Sequence, residues 1–274
     1  MSEQAYFPES LLSRMRWRRG FNGRLPGSGA AHSLSHSGEF EGHRPWQSGE
    51  DIQQLDLAVW RRLRQRWIRE YRQEADDPLH VIFDGGPSFD HRPRQTALFH
   101  IRRLLRGIAR NTRVPYREWI VDDLTCRPVT WDSQVPVTQR STITEVLSYL
   151  PQSIAQGRAI LISDRLSFDE LESSPPTLPS RDFQWWSLWL KEETNPSWEG
   201  DLLLQDPQQK VWQGHFSKEL LKNYRDLQNR QRLILQDWLR SRGGVHVAVP
   251  AVDSPTKIIE SLTAGNGPLE VVSG

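Results

Sequence analysis

Cysteine is almost missing from this chain. The 274 residues contain one, Cys126, so no internal disulfide can form, which fits a reducing, cytoplasmic compartment. No stretch reaches the roughly 18 consecutive apolar residues that a membrane-spanning helix needs. Met1 to Arg19 lacks the apolar centre of a secretory signal. An excess of charge of one sign is missing as well: 35 Lys and Arg face 34 Asp and Glu, so no global field exists to hold nucleic acid or an anionic membrane. Catalytic signatures are also lacking. There is no Gly-x-Ser-x-Gly elbow and no Gly-x-x-x-x-Gly-Lys-Ser/Thr phosphate loop. An aspartyl-phosphate phosphatase requires a second aspartate two residues after its nucleophile, where Asp84 is followed by Gly86. His32 and His36 have the i, i+4 spacing of helical zinc ligands but sit in a Ser/Gly-rich loop with no glutamate behind the first, so they read as a solvated loop. The expectation is a protein that is not an enzyme.

What is present is the composition of a folded protein, with 36% apolar and 25% charged residues. The length suits one core with an attached arm, because single cores stop growing at about 250 to 300 residues. The expected division is an N-terminal arm over 1–76 and an α/β domain over 77–274. Leu79-His-Val-Ile-Phe83 reads as a buried strand running into the turn Asp84-Gly-Gly-Pro. Ala97, Ile101, Leu104, Leu105 and Ile108 then share one helix face. The unit repeats: Trp119 to Val121 and Arg158 to Ser163 read as strands, and Thr142 to Leu150 as a short helix stopped by Pro151. Phe183 to Leu190, dense in tryptophan, reads as a further strand. Ser217 to Arg242 reads as the longest helix, with Ser217 as N-cap and Gly243-Gly244 as its stop, and Val245 to Val249 closes the series. Alternating strands and helices predict a doubly wound, mostly parallel sheet with helices on both faces.

In such sheets ligands bind beyond the carboxyl ends of the strands. Asp84 and Asp164 follow two of those ends, with Ser88 close to the first and Thr142 opening the helix before the second. Carboxylates and hydroxyls offer oxygen ligands, which suit magnesium and suit zinc poorly. The plainer alternative is that aspartates at strand ends cap the following turns.

Glu39-Phe40, Arg44-Pro-Trp46 and Gly49-Glu-Asp51-Ile-Gln-Gln-Leu-Asp56, followed by Arg61 and Ile68-Arg-Glu70, resemble the signature of the family called domain of unknown function 58. Trp46, Glu50, Gln53, Leu55 and Leu57 depart from it, which marks a divergent member. The resemblance extends through the Asp84 loop, Leu161-Ile-Ser-Asp164 and Gly200-Asp-Leu-Leu-Leu204. It implies a von Willebrand factor A-like fold and a metal-ion-dependent adhesion site with ligands Asp84, Ser88, Thr142 and Asp164. Gly86 stands where the middle serine belongs, so the implied Mg2+ site is degenerate. The resemblance also implies a protein-binding role, with a MoxR-type AAA+ ATPase and a client protein as partners in assembly or maturation.

A second reading comes from arginines interleaved with tryptophans. Arg14, Arg16, Arg18, Arg19 and Arg24, then Arg61, Arg62, Arg64, Arg66, Arg69 and Arg72, alternate with Trp17, Trp60 and Trp67 in the manner of single-strand nucleic-acid binders. Against it, the same arginines can lie over tryptophan faces, and nucleic-acid domains are usually strongly basic. Trp185, Trp186 and Trp189 do not alternate cleanly, so either one faces away from the core or the strand is buried on both faces. Pro175, Pro176 and Pro179 forbid a regular crossover helix between Ser167 and Arg181.

Overall fold

The computed structural model describes residues 7–18, 39–46, 56–72, 78–122, 125–130, 142–155, 157–173, 178–180, 182–205, 210–265 and 267–272. They belong to two units, Met1–Arg24 with Pro78–Gly274, and Leu25–Asp77. Residues 1–24 of the expected arm therefore group with the sheet, and the remainder forms a unit of its own.

The larger unit begins with a helical turn, α1 (Glu9–Leu12), and a short strand, β1 (Met15–Trp17). In the smaller unit β2 (Glu39–Pro45) pairs antiparallel with β3 (Trp67–Arg72), and α2 (Leu57–Leu63) lies between them in sequence. Asp56 is buried and caps α2, accepting from the backbone of Ala58 at 2.9 Å and Val59 at 3.2 Å, while its other oxygen lies 2.8 Å from His43 Nε2. The helix ends at Arg64, which adopts the left-handed conformation with φ 54°. Of the signature residues, Glu39, Phe40 and Arg44 lie on β2, Asp56 is this cap, and Arg61 is in the last turn of α2. Gly49 and Asp51 lie outside the described residues.

The rest of the chain builds a six-stranded sheet. β4 (Leu79–Asp84) leads through a 3-10 turn at Pro87–Asp90 into α3 (Arg92–Thr112), then β5 (Tyr116–Val121) and the short β6 (Cys126–Pro128). α4 (Ile143–Ser148), β7 (Arg158–Ser163), α5 (Glu170–Ser173), β8 (Asp182–Trp189) and α6 (Lys191–Thr194) follow. The ribbon β9 (Gly200–Gln205) and β10 (Val211–Phe216), α7 (Lys218–Ser241), β11 (Val245–Pro250), α8 (Pro255–Thr263) and β12 (Leu269–Val271) complete it. The sheet order is β11-β8-β7-β4-β5-β6, and every neighbouring pair is parallel except β5 and β6.

Side-chain alternation assigns the two faces. Val81, Phe83, Ile160, Ile162, Trp186 and Leu188 pack with the stripe Ala97, Ile101, Leu104, Leu105 and Ile108 of α3 and with Ile258 and Leu262 of α8. Ile82, Leu161, Phe183 and Trp185 pack on the opposite side against Val146 of α4, Leu171 of α5 and Leu235 and Leu239 of α7. With both faces covered, Trp185 and Trp186 point to opposite sides and are both 0% exposed, whereas Trp189 at the strand end is only partly buried. Each fully buried indole removes about 150 to 250 Å² from water, an upper estimate of about 4 to 6 kcal/mol.

The helix ends follow their sequence signals. Ser217 accepts from Leu220 N at 3.2 Å, and α7 stops where Gly243, with φ 76°, donates to Arg240 O while Gly244 donates to Leu239 O at 2.8 Å, the paired bonds of a Schellman motif. Gly157 is required before β7: its φ is 128°, and a Cβ there would lie 2.3 Å from Pro78 O. Between β7 and β8 the described residues hold one helical turn, α5, and Pro175 and Pro176 lie outside the described residues. β1 pairs antiparallel with β12, and Met15 beside it is buried in the core.

Candidate functional site

From β4 the chain moves outward through β5 to β6, then returns and moves the other way through β7, β8 and β11. The direction of winding reverses between β4 and β7, and in open α/β sheets the crevice at that switch point, beyond the carboxyl ends of the strands, is where ligands bind. Asp84 ends β4 and Asp164 directly follows β7, so the topology brings them to this point. Ser88, in the 3-10 turn after β4, donates its hydroxyl hydrogen to Asp164. Three of the four expected ligands are therefore neighbours.

The fourth is engaged elsewhere. Thr142 is the exposed N-cap of α4, where its Oγ1 accepts from Glu145 N at 3.2 Å and donates to Glu145 Oε2 at 2.8 Å. Its hydrogen bonds complete a capping box. The backbone N–H groups of Thr142 and Ile143 go to Glu145 and, at 2.8 Å, to Glu170.

Two arginines hold the centre of the cluster. Arg165 approaches Asp84 with Nε 2.6 Å from Oδ2 and Nη2 3.1 Å from Oδ1, a bidentate pair with side-chain exposures of 7% and 1%. Ser163 adds a third donor to Asp84, from Oγ to Oδ2 at 2.7 Å, and accepts from Arg165 N at 3.2 Å. Arg165 O accepts from the Trp189 indole at 2.8 Å, which fixes the turn that carries it. Burial opposes the charge of Arg165, but the Asp84 carboxylate, with Glu170 and Asp164 behind it, outweighs that and raises its pKa. Arg94 of α3 is the second cation. Its Nε lies 3.7 Å from Asp164 Oδ2, Nη1 donates to Ser88 O at 3.2 Å, and Nη2 pairs with Glu193 of α6.

This arrangement answers whether the residues suit the magnesium ion that the resemblance implies. A hard dication needs carboxylate and hydroxyl oxygens directed at one open point. Here both Asp84 oxygens face a guanidinium, Ser88 is turned onto Asp164, Thr142 caps its own helix, and Gly86 offers no side chain. Among the described residues no group of three or more His, Cys, Asp or Glu is placed to hold a metal ion. The donor set does not fit a divalent cation, because the adjacent positive charge repels one and the oxygens already have donors.

The arginines are what sequence reasoning missed. Arg165 stands next to Asp164, but its partner is 81 residues away, and no local pattern announces that pairing. The only available signal was a basic residue directly after a strand-end carboxylate.

Two further places bear titratable groups. A cleft of about 510 Å³ beside β5 and β6 is lined by Arg106, Tyr116, Arg117, Glu118, Trp119, Pro128 and Val129. Beneath it Glu118 accepts from Tyr116 at 2.5 Å and from Arg102 Nε at 3.0 Å. Cys126, on β6, is partly buried, and burial with the neighbouring Asp122 pushes its thiol up to about 12, which leaves it a poor nucleophile. Among the described residues no helix is long and apolar enough to cross a membrane.

No family model matches the chain, and no curated protein matches it. Among solved structures the chain is similar to an aerotolerance-related membrane protein from Bacteroides fragilis NCTC 9343 with multiple mutations to serines. The two are 12% identical, with 68% of this chain and 98% of that chain covered, at a TM-score of 0.33.

Proposed function

We propose that the chain is a non-enzymatic protein-protein interaction module of the von Willebrand factor A type, working in the cytoplasm with a MoxR-type AAA+ ATPase on a client protein. The observation that carries this reading is the convergence of Asp84, Ser88 and Asp164 at the switch point of a doubly wound sheet, where the family resemblance expects an adhesion site. The carboxylates there are committed to arginine partners rather than exposed in a reaction cleft, which favours recognition over catalysis. The ATPase and the client rest on the family resemblance alone.

A pull-down from native lysate, with wild type beside Asp84→Ala and every retained protein identified by mass spectrometry, tests the reading. Recovery of an AAA+ ATPase by the wild type and its loss from a folded Asp84→Ala variant support it. Wild-type protein that retains no ATPase contradicts it.

A second reading, single-strand nucleic-acid binding, is favoured by one observation in the smaller unit. Trp60 is 40% exposed on α2 and is followed by the exposed Arg61 and Arg62. A gel shift with single-stranded oligonucleotides at low and high salt decides it, since binding through phosphates weakens steeply as salt rises.

A further inference from the structure

We infer that the guanidinium of Arg165 takes the place of the divalent cation at the β4–β7 switch point, so that the loop after Asp84 is held closed by an internal cation and needs no metal. The inference uses the cation position implied by the family reading but not the proposed partner, so it stands or falls separately from the pull-down.

The case begins with charge. Asp84 and Asp164 are 1% and 3% exposed, and two carboxylates this far out of water require compensation. A dication would supply two positive charges. Arg165 and Arg94 supply one each, both on side chains that are themselves buried, with Arg165 on Asp84 and Arg94 beside Asp164. Geometry agrees. Arg165 makes two bonds to the two oxygens of Asp84, the fork-to-carboxylate match that fixes position as well as charge. Ser163 Oγ joins the two partners by donating to Asp84 and accepting from the Arg165 backbone, so the guanidinium is held at both ends of its residue. Gly86 brings no side-chain oxygen to this end of the sheet, so the compensation of the two carboxylates falls to the guanidiniums.

Arginine differs from a metal in two ways that matter. It cannot dissociate, and it offers no vacant coordination position for a carboxylate arriving from outside. The Asp84 end of the sheet is therefore held in the same way with or without chelators and divalent ions.

The test is a Mn2+ titration of metal-free protein followed by electron paramagnetic resonance, with thermal unfolding in EDTA and in Mg2+ alongside. The wild type is expected to bind no stoichiometric Mn2+ at millimolar concentration and to melt at the same temperature in EDTA and in Mg2+. Arg165→Ala strips the guanidinium from Asp84, next to the Ser88–Asp164 pair, and is expected to gain stoichiometric Mn2+ binding. Its melting temperature should rise by about 5 to 10 °C at a hundredfold excess of ion over Kd. Where Arg165→Ala does not fold, Arg165→Gln keeps a donor for Asp84 without the charge and is expected to gain Mn2+ in the same way. Stoichiometric Mn2+ on the wild type overturns the inference, as does a folded Arg165 variant that binds none. If neither variant folds, the wild-type titration alone decides.

Discussion

Arg165 and Asp84 form a side-by-side pair, with bonds of 2.6 and 3.1 Å, that ties the residue after β7 to the last residue of β4. Removing one partner leaves the other as an uncompensated buried charge, at a cost of about 3 to 5 kcal/mol. Asp84→Ala and Arg165→Ala should each lower the unfolding free energy by about that amount in urea titrations at neutral pH. The double variant should lose less than the sum of the two. Additive losses would mean that the pair contributes no coupling.

A second prediction concerns pH. His246 on β11 lies with one ring nitrogen 3.0 Å from Ser187 Oγ and the other 3.4 Å from Gln236 Nε2. Gln236 donating to Nδ1 leaves Nε2–H to donate to Ser187, the pattern of a neutral ring. Burial, with the charge of Arg232 adding, holds its pKa down to about 4. The unfolded chain takes up the proton near pH 6.5, so the unfolded state gains protons first as pH falls. The His246 contribution to stability is thus complete above about pH 6.5, is lost progressively down to about pH 4, and is constant below that. His246→Gln should flatten this part of the stability curve, as the difference between variant and wild-type urea midpoints across that window will show.

Tyr116, Glu118 and Arg102 predict a stability effect remote from the switch point. The Tyr116 hydroxyl donates to Glu118 at 2.5 Å, and burial together with that carboxylate pushes its pKa well up. Tyr116→Phe removes a donor to a buried charge and should cost about 1.5 to 3 kcal/mol. Because the wild-type phenol resists ionisation, Tyr116→Phe should lack part of the late, strongly alkaline rise that the wild type shows in an ultraviolet titration.

Gly157→Ala should be disruptive for a reason that lies in the backbone. The φ of 128° is unfavourable for any residue with a Cβ, and the added carbon would meet Pro78 O at 2.3 Å. The bond from Arg158 N to Pro78 O at 3.1 Å, which starts the β4–β7 pairing, would have to give way. A loss of at least about 2 kcal/mol is expected in denaturant unfolding.

The sequence was most informative where a signal was local. The run Leu79 to Phe83, the stripe from Ala97 to Ile108, and Ser217 with Gly243-Gly244 mark elements whose periodicity or caps lie within a few residues, and β4, α3 and α7 appear where those marks place them. The β9–β10 ribbon has no local mark, because three successive leucines, Leu202-Leu-Leu204, hide the period of two. β9 alternates between partly buried and exposed residues, with Leu203 65% exposed, and β10 is exposed at all but its last residue. β1 was missed because three residues carry no period, and its pairing with β12 has no sequence mark. At the candidate site the two aspartates could be placed by their strands, but what neutralises them could not. Charge pairing across a sheet depends on which loops the topology brings together, and Arg94, on the polar side of a helix in sequence, turns out to be 3% exposed beside Asp164.

The pairing of β1 with β12 also sets a timetable. Met15 faces Val271 and Trp17 faces Leu269, so β1 must wait for about 250 further residues before its only strand partner among the described residues exists. At about 5 to 20 residues per second that delay on the ribosome is roughly 10 to 50 s. During it Met15, buried in the finished protein, has no completed core to enter. While the intervening residues are made, Met15 and Trp17 are thus without their partner strand, and variants that lack Leu269–Val271 should be captured by chaperones or proteases that the intact chain escapes.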